Sequence, residues 1–450
     1  MTLTKPRPFI TILPALMIVS FLAATVSLFF LGPVQWKPMQ PSLLLGYLVA
    51  ALSLFTVAYL AGTQITPRAS DTLPTNTLII AGSLLSIAML FPSAYFYADK
   101  MPWEIIDAIR DQKKVYEGLQ KRLNETQSGR ELVALARAVT FPLIYAAGPL
   151  CILHMRNIPK WYWGLFCLLM ASAITFSILR GTDREAFDFT LLVASSGLIL
   201  IGRNLQWFKT RISKRLVLAG CIIGILIASL GYQVFGQRRL QRADMTIPAL
   251  GELLEKSGPH GGYMTIMCIR SACADKDNLL IAHVAPFHKY AITMVTNYLT
   301  NGYYGLSLAL DDPTPFQSTL GIGHAPAIKR LYERVTHDTT LYEKSYTARL
   351  NSAAWSDNSE WATIFVWLAN DVGFSGALAV FVLLGLAYAV AWRDATIEGN
   401  DYAAVVFCFL TQLLIYTPAN FQIGQTLDSY LGFSVWLAAW LIRRRHHSHR

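Results

Sequence analysis

Two groups of arginines, one Gly-x-Gly-His segment and one isolated aspartate are the residues of this sequence best suited to chemistry. Arg180 and Arg184 fall in the turn Leu179-Arg180-Gly181-Thr182-Asp183-Arg184-Glu185 between two apolar runs, and Arg238, Arg239 and Arg242 directly follow a third. A guanidinium stays charged when partly buried and meets phosphate oxygens with two parallel N–H donors. Clusters from separate runs are therefore suited to holding a diphosphate. The plain alternatives are snorkelling to a membrane interface and pairing with Asp183, Glu185 and Asp244. In Leu320-Gly321-Ile322-Gly323-His324, Gly321 and Gly323 let backbone approach a ligand closely. His324 has the chemistry of a general base or of a donor to phosphate, although a lone histidine serves a structural role equally well.

Asp371, within Asn370-Asp371-Val372-Gly373, is the one charge in a stretch from Trp361 to Trp392. An ionisable residue there marks a functional site by default, and capping a helix start is the simple alternative. Asp275-Lys276-Asp277 has the Asp-x-Asp form that holds a metal-bound nucleotide sugar, but so short a match arises easily by chance. No Walker loop, dinucleotide fingerprint, zinc-ligand spacing or nucleophile elbow is present. An enzyme built on these residues needs no nucleotide cofactor and no metal.

Membrane helices must position these groups. The 450 residues are 54% hydrophobic and only 15% charged, with mean hydropathy +0.39, whereas soluble chains carry about 25% charged residues. A hydrocarbon core of about 30 Å needs about 20 apolar residues as helix. The runs that qualify are Phe9–Leu31, Leu43–Ala61, Thr77–Tyr95, Ala134–Leu153, Trp161–Leu179, Phe187–Gly202 and Leu216–Phe235, then Gly373–Trp392, Tyr402–Tyr416 and Ser429–Ile442. The expected fold class is therefore an all-α polytopic membrane protein of about ten transmembrane helices. Residues 1–235 hold the first seven with an amphipathic outer segment over 96–133, residues 236–360 form a large extracytoplasmic loop, and residues 361–450 hold the last three with a basic tail.

Charge sets the expected orientation. With the N-terminus inside, the cytoplasmic pieces (1–8, 62–76, 154–160, 203–215, 392–401 and 443–450) hold 15 Lys and Arg against four acids, and the remainder holds 23 basic and 24 acidic residues. The formal charge of +10 is thus a topological bias toward anionic inner-leaflet lipid, and no nucleic-acid partner is expected. In the outer segment, Met101-Pro102-Trp103-Glu104 reads as a helix start. Ile105, Ile106, Ile109, Tyr116, Leu119 and Leu123 then recur at helical spacing, as on a helix lying at the membrane surface or on the bundle. Tyr290–Leu310 carries no charge, yet Asn297, Asn301, Gly302 and Gly305 interrupt it, so a surface-lying or re-entrant pair of helices is expected rather than a span. Cys151, Cys167, Cys221 and Cys408 lie in apolar runs as small hydrophobes. Cys268 and Cys273, five apart in the large loop, are expected to pair if that loop lies in an oxidising compartment; two free thiols is the alternative.

Four stretches resemble the bacterial O-antigen (oligosaccharide repeat unit) polymerases: Arg180-Gly181-Thr182-Asp183-Arg184, Asn301-Gly302-Tyr303-Tyr304-Gly305-Leu306, Thr319-Leu320-Gly321-Ile322-Gly323-His324 and Asn370-Asp371-Val372-Gly373-Phe374-Ser375-Gly376. With the topology, the resemblance spans most of the chain from Leu179 onward. It implies a metal-independent, inverting glycosyltransferase of GT-C-like architecture in the bacterial inner membrane. Such an enzyme transfers a growing glycan from undecaprenyl diphosphate onto a lipid-linked repeat unit at the periplasmic face. It further implies that Arg184 and one of Arg238, Arg239 and Arg242 bind the diphosphate, that Tyr303 and Tyr304 are sugar-stacking platforms, and that His324 or Asp371 is the base. Partners would be the lipid-linked oligosaccharide, membrane lipids and a chain-length regulator protein. The family's Arg-x10-Gly spacing is not reproduced, since Arg184 meets its next glycine at Gly197. O-antigen ligases share this pattern and are the nearest rival. A transporter or flippase should show repeated halves with matched interrupted helices, which the sequence lacks, and a scaffold would leave the arginine clusters without a purpose.

Overall fold

The structure is a computed structural model that describes residues 8–69, 73–123, 129–203, 236–237, 240, 268–269, 272–275, 277–352, 355 and 362–446. Arg238, Arg239, Arg242 and the expected span Leu216–Phe235 lie outside the described residues. The long apolar runs become helices because a backbone in lipid must satisfy its own N–H and C=O groups. These are α1 (Pro8–Leu31), α2 (Pro41–Gly62), α3 (Thr75–Ala98), α6 (Arg130–Leu153), α7 (Tyr162–Leu179), α8 (Arg184–Arg203), α13 (Ile364–Ile397), α14 (Asp401–Tyr416) and α15 (Leu427–His446). Among the described residues, seven helices are long and apolar enough to cross a membrane: α1, α2, α3, α6, α7, α8 and α13. The chain is an all-α membrane protein in its architecture. Helix α14 is apolar but shorter, and α15 packs along α6 with polar groups at both ends.

The helices collect their ends into two groups. At one, Gly62, the turn after Leu153, Arg203, Asp394–Asp401 and Arg444 meet. Asp394 is fully buried and accepts from Arg444 Nε (2.9 Å), Trp440 Nε1 (3.0 Å) and the Arg68 backbone (2.8 Å). Asp401 accepts from His154 and Arg203. The segments grouped by charge in the sequence are thus grouped in space.

The other end is roofed by α9 (Pro286–Asp311). The expectation of a helix pair over Tyr290–Leu310 is corrected: this is one continuous 26-residue helix. The residues that seemed to interrupt it, Asn297, Asn301, Gly302 and Gly305, are all buried against the bundle. Gly302 O accepts from Thr363 N at the start of α13, and a Cβ on Gly302 would stand 2.1 Å from Pro418 O at the end of α14. Gly302→Ala should therefore push α9 off this turn, with overpacking costing about 1–3 kcal/mol. Thermal unfolding in detergent measures it, and an unchanged midpoint would mean that α9 does not rest there.

Around α9 lie short strands β1 (Val34–Gln35), β2 (Cys268–Ile269) and β3 (Ala272–Ala274), paired antiparallel in the order β1-β3-β2. Their register sets Cys268 directly opposite Cys273; the side chains of both lie outside the described residues. In the 96–133 segment, a 3-10 turn (Pro102–Glu104) leads into α4 (Ile105–Arg110) and α5 (Gln112–Leu123), and Glu104 Oε2 accepts from Met101 N as a helix start requires. Of the expected apolar stripe, Leu119 is buried and Ile105 packs against buried Ala108 and Val115, while Ile106 and Ile109 are 60% and 51% exposed. After α9 come α10 (Pro326–Thr336), α11 (Thr340–Glu343) and α12 (Tyr346–Ser352). Arg349 of α12 bonds Asp312 at the start of the 312–325 loop. Partial burial works to raise the Asp312 carboxyl, but hydrogen bonds from Arg349 and Thr314 hold it below the usual carboxylate range. That tether is therefore intact at neutral pH and is lost only as pH falls through the depressed value.

Candidate functional site

The site is built on a break in α13. Gly373 adopts φ 68° and ψ 172°, a backbone region open essentially to glycine alone. Helix α13 therefore runs in two pieces, Ile364–Val372 and Phe374–Ile397, and not from Gly373 as the apolar run suggests. Asp371 sits in the last turn before the break and does not cap a helix start. Its carboxylate turns instead toward the 318–324 loop. Oδ1 accepts from Gly321 N (2.9 Å), Gly323 N (3.3 Å) and the Thr319 hydroxyl, and Oδ2 from His324 N (3.0 Å) and His324 Nδ1 (2.7 Å). Asn370, fully buried, completes the clamp by donating to Gly323 O (2.8 Å) and Thr347 Oγ1 (3.0 Å). The two motifs are 47 residues apart in sequence and form one hydrogen-bonded unit.

His324 continues outward. Its Nε2 lies 3.0 Å from the Tyr430 hydroxyl, and the ring is flanked by Tyr430 and Phe421 with centroids 5.7 and 6.2 Å away. Phe421 belongs to the connection between α14 and α15, which contains a 3-10 turn, Gln422–Gln425, and Tyr430 to the first turn of α15. The same connection meets the arginines. Arg184 reaches Gln422 O and Thr426 Oγ1, both at 3.4 Å, and Asp188 at 3.5 Å. These contacts are longer than good N–H···O bonds of about 2.7–3.2 Å. The side chain is only 23% exposed, so Arg184 is a shielded guanidinium with donor capacity in reserve.

Arg180 is committed differently. It pairs with Glu185, which also takes the Thr182 hydroxyl, and lies over the Tyr97 and Phe176 rings. For Arg180 the pairing alternative is the one realised. Tyr303 and Tyr304 are likewise corrected as sugar platforms. Tyr303 is 1% exposed, with its hydroxyl on Thr25 and its ring against Phe29. Tyr304 is stacked on Trp36 and packed on Trp355. Both rings are spent on packing α9 against its neighbours. Asp275 accepts from Asp277 N in a local turn, and Asp277 is exposed.

Reading the sequence missed Arg137. It lies inside an expected span, where a single ionisable residue is itself a signal. It is buried, with Nε and Nη2 on Asp428 Oδ2 at 3.0 and 2.6 Å, Nη1 on Ser93 Oγ at 2.9 Å, and the Phe141 ring 4.2 Å away. Beside this pair is a cavity of about 60 Å³ lined by Ser86, Ser93, Arg137, Tyr145, Ser172 and Glu185, among others. Asp188, which takes Gln422 Nε2 at 3.1 Å, and Tyr430 were missed as well. Chemically, the assembly offers an oriented imidazole, an arginine with spare donors and a polar connection touching both. No protein-family model, no curated protein and no solved structure matches this chain.

Proposed function

We infer that the chain is an oligosaccharide repeat unit polymerase of the O-antigen type, transferring a growing glycan from undecaprenyl diphosphate to a lipid-linked repeat unit. The observation that carries this reading is the 2.7 Å contact between His324 Nδ1 and Asp371. It joins the two motifs that resemble the polymerases, next to the connection that holds Arg184. In this reading the site end of the bundle faces the periplasm of a bacterial inner membrane, with both termini in the cytoplasm. Arg184 neutralises the diphosphate as its bond to the anomeric carbon breaks, stabilising charge where it develops. His324, oriented by Asp371, draws off the proton of the attacking sugar hydroxyl. The flanking Phe421 and Tyr430 rings supply the apolar walls.

The test is a lipopolysaccharide gel on the source bacterium with this gene deleted, complemented with wild type or with Arg184→Ala. Wild type should restore long ladders. The variant, at equal protein level, should give core plus a single repeat, from a rate loss of about 10²–10³-fold on removing one charge-stabilising donor. Ladders unchanged by the deletion would dismiss the polymerase, and bare core lacking any repeat would move the assignment to ligation or export.

A further inference from the structure

The bonds that hold His324 also decide which of its nitrogens carries the proton. A carboxylate only accepts, so the Nδ1 that faces Asp371 is the protonated one. In the neutral ring Nε2 is then the acceptor, and the Tyr430 hydroxyl at 3.0 Å is its donor. The lone pair that would receive a substrate proton is thus already filled by a phenol. The imidazole is flanked by Phe421 as well as Tyr430. Tyr430 itself is fixed in the first turn of α15, where its N–H bonds Thr426 O, the residue whose hydroxyl reaches Arg184.

Building on the polymerase reading, we propose that Tyr430 is a catalytic proton relay, with the acceptor sugar hydroxyl bound at Tyr430 Oη rather than at His324. In the step, the acceptor oxygen forms its bond to the anomeric carbon while the bond from that carbon to the diphosphate oxygen breaks. The leaving lipid diphosphate takes the electron pair. The acceptor's proton passes to Tyr430 Oη as the phenol's own proton passes to His324 Nε2. The imidazolium, held by Asp371, returns its proton through Tyr430 to water, and the cycle is balanced without a further reactant. The relay places the acceptor hydroxyl one phenol away from the imidazole, toward the connection that carries Thr426.

The experiment uses full-length protein in proteoliposomes with lipid-linked repeat units extracted from the deletion strain. Tyr430→Phe should lower kcat by about 10²-fold, the scale of general acid–base assistance, with KM unchanged. Fluorinated tyrosines placed at 430 should change the rate in step with their phenol acidity. A Tyr430→Phe rate equal to or above wild type overturns the relay and leaves the polymerase standing, because the substrate then reaches His324 directly. If wild type itself extends nothing, the polymerase reading fails and the relay fails with it. Carbethoxylation of His324, followed by mass spectrometry, needs no turnover: removing the phenol should speed labelling of the freed Nε2. An unchanged labelling rate overturns the Tyr430–His324 bond on which the relay depends.

Discussion

Replacing Asp371 by alanine should lower stability by about 3–5 kcal/mol and release the 318–324 loop from the bundle. The carboxylate receives three backbone N–H groups, one hydroxyl and one imidazole nitrogen. A buried donor left without its acceptor costs about 1–3 kcal/mol. The three N–H groups are exposed or half-buried, so each costs less than that, and the loop should move into water and recover part of the loss. Asp371→Asn keeps a carbonyl oxygen for the loop but sets an N–H₂ group among donors, and should fall between. The measurement is thermal unfolding in detergent together with limited proteolysis across 312–326. A wild-type midpoint with full protection would show that the loop is held by Asn370 and packing alone. Asp371→Ala should also abolish transfer, because His324 loses both its orientation and its tautomer.

The second large effect is expected at Arg137. The Arg137–Asp428 pair is buried on both sides, so Arg137→Ala leaves a buried carboxylate without the cation that bonds it, with only the more distant Arg184 to offset its charge. Breaking such a pair from one side costs about 3–5 kcal/mol, whereas replacing both partners by apolar groups of similar volume is often neutral. Arg137→Met alone should therefore be severe, and Arg137→Met combined with Asp428→Leu should recover most of the loss. Unfolding midpoints of the two singles and the double form a cycle. A double no better than the worse single would mean that the pair is needed for a unique arrangement of α6 against α15, and not merely for charge balance.

Much of this was legible in the chain. The apolar runs and the basic pieces between them gave the helices and their grouping by ends, because hydropathy and charge are local properties read at known lengths. His324 and Asp371 were legible as residue types, one after paired glycines and one alone among apolar neighbours. That they touch was not, since their approach depends on the turn at Gly373 and on three short helices folding between them. Gly373 itself sits in so apolar a run that its break looked like a beginning. Tyr303 and Tyr304 show the opposite limit: an aromatic pair flanked by glycines reads alike whether it faces a sugar or the core. What buried them, Phe29 against Tyr303 and Trp36 and Trp355 against Tyr304, is remote in sequence. The 421–430 segment carried no charge before Asp428 and gave no sign that it touches His324, Arg184, Asp188 and Arg137.

Helix α15 has one more bearing, on how the chain is made. Its first turn supplies Asp428 to Arg137, and its last two turns supply Trp440 and Arg444 to Asp394. During synthesis, both of those earlier residues enter the bilayer before their partners have been translated. The half-built protein is therefore a bundle with two unmet ionic groups, one near each face, which the twenty residues of α15 satisfy together. A chain lacking α15 would carry both unmet groups at once, so a single helix settles the charge at the two ends of the bundle.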